Sequence, residues 1–542
     1  MPELNQPSWS RRIAGMVSRY GLVGLACASL NVAIVWAGTE VLGLAYPLAA
    51  ALTCPITIPL SYWLHRRITF DMPGPATLPE FLRFVLAQLS QFALGFAAMA
   101  AVVEWVRWRP WIALAIVSLL MMAYGFLASS SWVFGIWRAG ESRRSSASQA
   151  ASVGRRLRVL QVSAFFPAHG GGIEVVAGQL SRHLALSGVD VTWMAGGAAA
   201  ERPSQAESPG VVIVQAKSFD VLERRVGLPA PVWSPASLQR LWRLIGSCDL
   251  VHVHDYLYVP TLAAILFARL RHRPVVLTQH VGEIAYESIL ARRLLQAINH
   301  TVGRVALAAA TQVVFVGRPV QEHFGHFVRF RRSSRLIANG VDQEVFRPGP
   351  QASAPDAGDL RALFVGRFVE KKGLRLLRAC MSVPGIRWEF VGRGPLSPEH
   401  WNAPTDMLRV RGVLAPREVA DSMRRADVLV LPSHGEGFPL VVQEALACGT
   451  PVLVSQEVAD AFPISDARCT WAVDLSADDA AARLRDTLAS LARAPESIRA
   501  VRSVAVALAG QWSWDRCAES YLAIYCALTG LAPDIAARRV DS

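Results

Sequence analysis

The chain has 542 residues, 52% of them hydrophobic, with a formal net charge of +13 and a mean hydropathy of +0.30. That length is too great for one core and predicts about three to four domains, and the hydropathy points to membrane segments. The basic residues are nearly all arginine and lie scattered rather than in tracts, which argues against a nucleic-acid-binding protein.

From the N-terminus, four stretches carry no charged residue: Tyr20–Thr39, Val41–Leu64, Phe84–Val103 and Pro110–Trp137. Each is long enough to cross a hydrocarbon layer of ~30 Å, which takes about 20 residues. Four in succession predict a helical membrane bundle, with Trp105, Trp108, Trp111 and Trp137 near span ends, where aromatic belts form. Arg11, Arg12 and Arg19 precede the first stretch, His65, Arg66, Arg67 and Arg83 follow the second, and Arg138, Arg143 and Arg144 follow the fourth. This bias puts both ends of the bundle in the cytoplasm, although Arg107 and Arg109 fall on the opposite side. The segments "RYGLVG" at Arg19–Gly24 and "SYWLHRRITF" at Ser61–Phe70 resemble the GtrA family of small four-span membrane proteins. That resemblance implies handling of polyprenyl-phosphate-linked sugars. Asn31, Gln88 and Gln91 inside the stretches fit either a lipid-phosphate path or interhelical hydrogen bonds.

A serine-rich linker is expected over residues 139–155. Beyond it the texture changes to short apolar runs alternating with helical segments: "LRVLQVSAFF", "VDVTWMAGG", "DLVHVHD", "RPVVLTQH", "TQVVFVG", "RALFVGR", "WEFVGRG", "DVLVLPS" and "TPVLVS". Such alternation predicts parallel sheets covered on both faces, and the strand count suits two doubly wound domains. Their boundary falls near "RLIANGVDQEVFRPG". The eight cysteines show no metal-ligand or redox spacing and fit reduced, buried thiols.

Open parallel sheets bind ligands at the carboxyl ends of their strands. There, "LFVGRFVEKKG" places Arg367 and Lys372 on a short loop, where a planar fork and a compact charge can clamp a diphosphate. Lysine is otherwise scarce, which sharpens that reading. "LPSHGEGFPLVVQEALACGTPVLV" reads as a strand, a loop carrying Glu436, a helix carrying Glu444 and stopping at Gly449, and a second strand. Both acids come from one strand–helix unit, so they fit hydroxyl contacts to one ligand better than a pair flanking a scissile bond.

Together, "EGFPLVVQEALACGTPVLVS", "VGRFVEKKG" and "ANGVD" resemble the retaining glycosyltransferases of family 4, which have the two-domain GT-B fold. The resemblance implies that Glu444 holds the ribose of a nucleotide-sugar donor and Glu436 contacts the donor sugar near the reacting carbon, with Gly437 and Phe438 beside it. It implies that Arg367 and Lys372 bind the diphosphate, and that Gly171 and Gly172 of "FPAHGGGIE" let the backbone approach the ligand. His280, ending "LTQH", matches a family histidine close to the donor sugar. His252 and His254 of "HVHD" read as structural. One departure is Gly317, where serine is usual in the family. The terminal segment "WSWDRCAESYLAIYCALTG" fits a helix packing back on the first domain.

The expectation is therefore a four-span α-helical membrane bundle (residues 1–138) followed by an α/β GT-B fold of two Rossmann-like domains. These are an acceptor-side domain over 156–335, a donor domain over 336–510 and a returning helix and tail over 511–542. The implied protein is a bacterial inner-membrane, multi-pass glycosyltransferase with its catalytic part in the cytoplasm. It would move a sugar from a nucleotide-sugar donor to a lipid-linked acceptor such as a polyprenyl-phosphate saccharide, with catalytic residues His280 and Glu436, no cofactor and no metal. The alternative is a polyprenyl-phosphate-sugar transporter with a sugar-nucleotide-sensing cytosolic part.

Overall fold

A computed structural model of the chain describes residues 9–72, 74–100, 110–134, 156–197, 203, 208–219, 231–282, 289–349, 359–401, 407–461, 466–475 and 479–531. The linker 139–155, Trp105, Trp108, Trp137, Arg107, Arg109, Arg138, Arg143, Arg144 and the final eleven residues lie outside the described residues.

Four helices occupy the apolar stretches: α1 (Trp9–Trp36), α2 (Tyr46–Leu64), α3 (Leu78–Ala100) and α4 (Pro110–Leu127). Among the described residues one helical segment, Gly15–Val41, is both long and apolar enough to cross a membrane. α2 carries Pro55 and Pro59 inside the helix. The bundle has an aromatic interior: Tyr20, Tyr62, Phe70, Phe84, Phe126 and Phe134 are buried together. Large apolar residues face outward instead, Leu25, Val32, Trp36, Leu86 and Phe92 among them. An apolar exterior of this extent needs a partner other than water. Inside, Arg66 Nε lies 3.0 Å from Glu80 Oε1, and the Tyr62 hydroxyl donates to the same oxygen at 2.8 Å.

The rest of the chain forms two α/β lobes. The first begins with β1 (Arg158–Phe165), helix α5 (Gly172–Leu186), β2 (Asp190–Gly196) and β3 (Val211–Ala216). A short antiparallel pair, β4 (Ser218–Phe219) and β5 (Val232–Trp233), precedes β6 (Leu250–His254), β7 (Val275–Gln279), β8 (Gln312–Phe315) and β9 (Arg335–Leu336). The parallel sheet runs β3-β2-β1-β6-β7-β8-β9. The second lobe holds β10 (Leu360–Val365), β11 (Ile386–Val391), β12 (Leu408–Arg411), β13 (Val428–Leu431), β14 (Val452–Ser455) and β15 (Thr470–Val473), ordered β12-β11-β10-β13-β14-β15. The inner strands are buried on both faces, so they read as continuous apolar runs; β12, "LRVR", sits at an edge and alternates.

The two lobes repeat one device at the amino ends of their central strands. Asp249, just before β6, accepts from the Arg158 main-chain N–H at 3.0 Å. Asp427, just before β13, accepts from the Arg361 N–H at 2.9 Å and from the guanidiniums of Arg361 and Arg499. Burial would raise the Asp427 carboxyl, but the two arginines hold it below its ordinary range.

The lobes are joined by two crossings: Val341 and Ser513 bridge in parallel, and the Val341 N–H donates to Trp512 O. The chain then forms the helix Trp514–Thr529, which begins with the Ser513 hydroxyl accepting from Arg516 N–H. It packs on the first lobe: Trp514, Cys517, Ala518, Tyr521 and Tyr525 share a core with Val176, Leu180 and Leu184 of α5.

Candidate active site

In both sheets the strand order reverses at one place, between β1 and β6 in the first lobe and between β10 and β13 in the second. Loops leaving the two sides of such a point diverge and open a crevice at the strands' carboxyl ends. The sequence-derived candidates lie on the loops after β1, β7, β10 and β13, and one lies on the helix after β13.

In the second lobe, β10 ends at Val365 and the chain passes Arg367, which is exposed, into a single helical turn, Glu370–Lys372. Gly373 follows with φ +76°, and a side chain there would meet Pro432 O at 2.1 Å. Only glycine allows that close approach. It lets the lysine turn lie on the loop after β13, where the His434 N–H donates to Lys371 O at 2.8 Å. Lys372 Nζ reaches Glu436 Oε1 at 2.7 Å, both side chains being largely buried. Burial pushes the Glu436 carboxyl upward, yet Lys372, Lys371 and Arg367 together hold it below its ordinary value. Burial also lowers Lys371, against the opposing pull of Glu436.

The Glu436 loop is fastened from the other side by a residue that sequence reasoning missed. Glu457, in the helix Gln456–Ala461, accepts from the Gly435 N–H at 2.9 Å. The Ser455 hydroxyl donates to Ser433 O at 2.7 Å. No motif flags Glu457, because its partner is a main-chain group 22 residues away.

The helix Leu440–Ala447 starts after Pro439 and closes at Cys448, with Gly449 at φ +80°. Glu444 is half-buried on it, and burial together with the nearby Asp342 pushes its carboxyl up to about 7. Gln443 Nε2 donates to Asn339 O at 2.6 Å, which ties the "ANGVD" turn to this helix. The ring of Phe438 is buried and packs edge-to-face on Trp512 at 5.6 Å. It is a core residue that holds the turn, and its main-chain oxygen accepts from Asn339 Nδ2 at 3.4 Å.

The first lobe contributes from β1, β6 and β7. Gly171 caps α5, and a side chain on it would meet Glu174 Oε2 at 2.1 Å, so the carboxylate of Glu174 lies over the helix start. Gly172 opens into free space. His280, past β7, is buried, and burial lowers its imidazole to about 3. His254 and His252 are fully buried and lowered by the same cause. His252 is engaged on both nitrogens, by the Tyr525 hydroxyl and by Thr278 Oγ1, each at 2.7 Å. Among the described residues no group of three or more His, Cys, Asp and Glu is arranged to hold a metal ion.

The lobes meet across the crevice through glycine. A side chain on Gly437 would sit 2.0 Å from His280 O, and one on Gly317 would sit 2.1 Å from Gly437 O. Glu436 and His280 thereby stand on neighbouring segments of the two lobes. The departure at Gly317 has a steric cause in this arrangement, since no side chain fits between the lobes there.

Residues 162–521 match the family described as "Family 4 Glycosyltransferase in conflict systems", and residues 19–134 match the GtrA/DPMS transmembrane domain. Over 401 residues the chain is 31% identical to the D-inositol 3-phosphate glycosyltransferase of Segniliparus rotundus, covering 68% of this chain and 88% of that one. Its backbone is similar to sucrose-phosphate synthase from Thermosynechococcus elongatus, with TM-score 0.57 and 20% identity, covering 69% of this chain and 100% of that one. It is similar also to HepE of Anabaena in complex with UDP-glucose, with TM-score 0.54 and 14% identity over the same shares. These likenesses establish the two-lobed GT-B architecture.

Proposed function

The chain belongs to the family 4 glycosyltransferases, and from that premise we propose that it transfers a sugar, with retention, from a nucleotide-sugar donor to a lipid-linked or membrane-proximal saccharide acceptor. The observation that carries this reading is the cluster at the reversal point of the second lobe. Arg367, Lys371 and Lys372 converge there on Glu436, opposite His280 across the cleft. Such a cluster can neutralise a diphosphate and stabilise the charge that develops as it leaves. Lys372 keeps two further N–H donors for phosphate oxygens while it orients Glu436 toward the sugar. Glu444 takes the ribose hydroxyls, and Gly171 and Gly172 admit the ligand closely at the start of α5. The chemistry calls for no metal, because these cations supply the charge. HepE's complex with UDP-glucose supports a donor of the same kind.

The acceptor reading rests on the membrane part. The GtrA/DPMS match and the apolar exterior of α1–α4 support a multi-pass bundle in a bacterial inner membrane, with the lobes on the cytoplasmic side where nucleotide sugars are made. The bundle and the first lobe also share packing: Val305, Leu266 and Leu270 contact the bundle's aromatic core.

The test is transfer of label into lipid by inverted membrane vesicles given a panel of radiolabelled nucleotide sugars. Wild type is expected to label a lipid fraction with one donor, and Glu436→Ala to lower the rate by about 100- to 1,000-fold. Failure of both proteins with every donor and lipid extract would favour the transporter alternative and overturn the enzymatic reading.

A further inference from the structure

The polar residues behind His280 form a column that the roles above leave unused. His254, the last residue of β6, stands between Gln161 of β1 and His280 past β7. Its Nε2 is 2.7 Å from Gln161 Oε1 and its Nδ1 is 3.2 Å from His280 Nε2. The two imidazoles are nearly parallel, at 22° with centroids 5.5 Å apart. Gln161 and His254 are fully buried and His280 is 5% exposed, so water does not compete for these bonds.

The Gln161 amide, with its oxygen toward His254, sets where the protons sit. An amide carbonyl oxygen only accepts, so His254 carries its proton on Nε2. Its Nδ1 is then a bare lone pair, which accepts from the Nε2–H of His280. This assignment satisfies both short contacts and leaves His280 Nδ1 as that ring's acceptor. The titratable groups facing this column are His252 on β6 and Asp255 just past it, Cys517, Tyr521 and Tyr525 on the terminal helix, and Glu436 with its lysines across the cleft. Asp255 is turned toward main-chain N–H groups, accepting from Leu257 at 3.0 Å. Tyr525 and Tyr521 are committed to His252 and Thr278.

We propose that His254, held by Gln161, is a positioning residue that fixes the tautomer and rotation of His280, so that a neutral ring presents Nδ1 to a hydroxyl of the bound sugar. This rests on the reading that His280 flanks the donor sugar. An imidazolium in that place would donate rather than accept, and would stand opposite Lys372 and Arg367.

The experiment compares His254→Leu, His254→Asn and His280→Ala in the full-length protein, each checked for an unchanged melting temperature. His254→Leu removes the acceptor, whereas His254→Asn returns a carbonyl oxygen close to the position of Nδ1. The expected result is a fall in kcat of about 10- to 100-fold for His254→Leu, with donor KM and nucleoside-diphosphate Kd changed by less than about twofold. Water entering beside His280 in that variant relieves its desolvation, so the acidic limb of the kcat profile moves to higher pH. His254→Asn should recover most of the lost rate. Wild-type kcat and an unmoved acidic limb in His254→Leu, beside an inactive His280→Ala, overturn this inference alone. So does an equal loss of kcat and nucleotide binding in both His254 variants, which marks a role confined to holding the fold. An active His280→Ala overturns the active-site reading and this inference together.

Discussion

Glu436 and Glu444 leave the same strand–helix corner, yet their surroundings drive them apart. Three cations surround Glu436 and keep it ionised against burial, while Glu444 is raised to about 7 by burial and by Asp342. Ribose hydroxyls donate best to a charged carboxylate, so under the proposed role donor binding by Glu444 competes with its proton. Donor affinity is expected to rise from about pH 6 to about pH 8 and then level, because binding below the raised value must expel a proton. Stability runs the other way. A carboxyl raised in the folded state stabilises the fold below its unfolded value and loses that contribution as pH rises through about 7. Glu444→Gln should therefore bind the donor about 10- to 100-fold more weakly, as expected for losing a charged hydrogen-bond acceptor. It should also melt at a higher temperature than wild type near pH 8 and show a flat affinity–pH curve. Calorimetric titration and thermal melts at several pH values check all three; a Glu444→Gln protein with the wild-type pH slope would refute the assignment.

At the scale of elements, the cleft depends on where side chains are missing. Gly373 lets the lysine turn settle on Pro432, and without it Lys372 could not reach Glu436. Gly317 and Gly437 let the backbones of the two lobes approach closely, beside the side chains of Val316 and Ala461. Gly317→Ala places a methyl group where Gly437 O now sits, so the lobes must stand farther apart. Overpacking of this kind costs about 1–3 kcal/mol. The expectation is a donor KM raised by about tenfold, with little change in melting temperature, because each lobe keeps its own core. Steady-state kinetics with small-angle scattering decide it, and unchanged KM with unchanged radius of gyration would show that the closed contact is not needed for donor binding.

For the whole molecule, the question is how a membrane bundle and a two-lobed enzyme act together. Arg304 lies over the Trp132 ring at 5.2 Å, and Arg83 Nη1 donates to Trp132 O at 3.4 Å. Trp132, in the helical turn Ala128–Val133 after α4, thus joins the bundle to the first lobe through an arginine at the start of the helix Arg304–Ala309. A cation–π contact contributes about 0.5–2 kcal/mol, enough to hold the lobe against the bundle without locking it. Trp132→Ala is expected to raise hydrogen exchange over 304–309 and to lower transfer to the proposed lipid acceptor by roughly 2- to 20-fold. Nucleoside-diphosphate affinity should stay unchanged, because the residues proposed to hold the diphosphate, Arg367 and Lys372, stand in the other lobe. A parallel loss of nucleotide binding would show that the contact supports the fold rather than the presentation of the acceptor.

The amino-acid sequence by itself determined the class of the protein. Parallel strands buried on both faces are legible as short apolar runs, and four charge-free stretches are legible as four helices, because those patterns follow from local periodicity and length. The edge strands β9, β12 and β15, of two to four residues, were not legible, since pairing on one side only relaxes the demand for continuous apolar residues, while β3, "VVIVQA", is an apolar run that the motif reading passed over. The motif residues Arg367, Lys372, Glu436 and Glu444 stood out from turn chemistry and from the scarcity of lysine. Tertiary structure alone decided what those residues touch. The pairing of Lys372 with Glu436, the grip of Glu457 on Gly435, the turning of Phe438 into the core and the contact of Gly317 with Gly437 all join segments distant in the chain. The column Gln161–His254–His280 spans three neighbouring strands whose order, β1-β6-β7, skips four strands in sequence. Spacing along the chain carries no trace of such a contact, because strand order is chosen by packing and by the handedness of the crossovers rather than by any local signal.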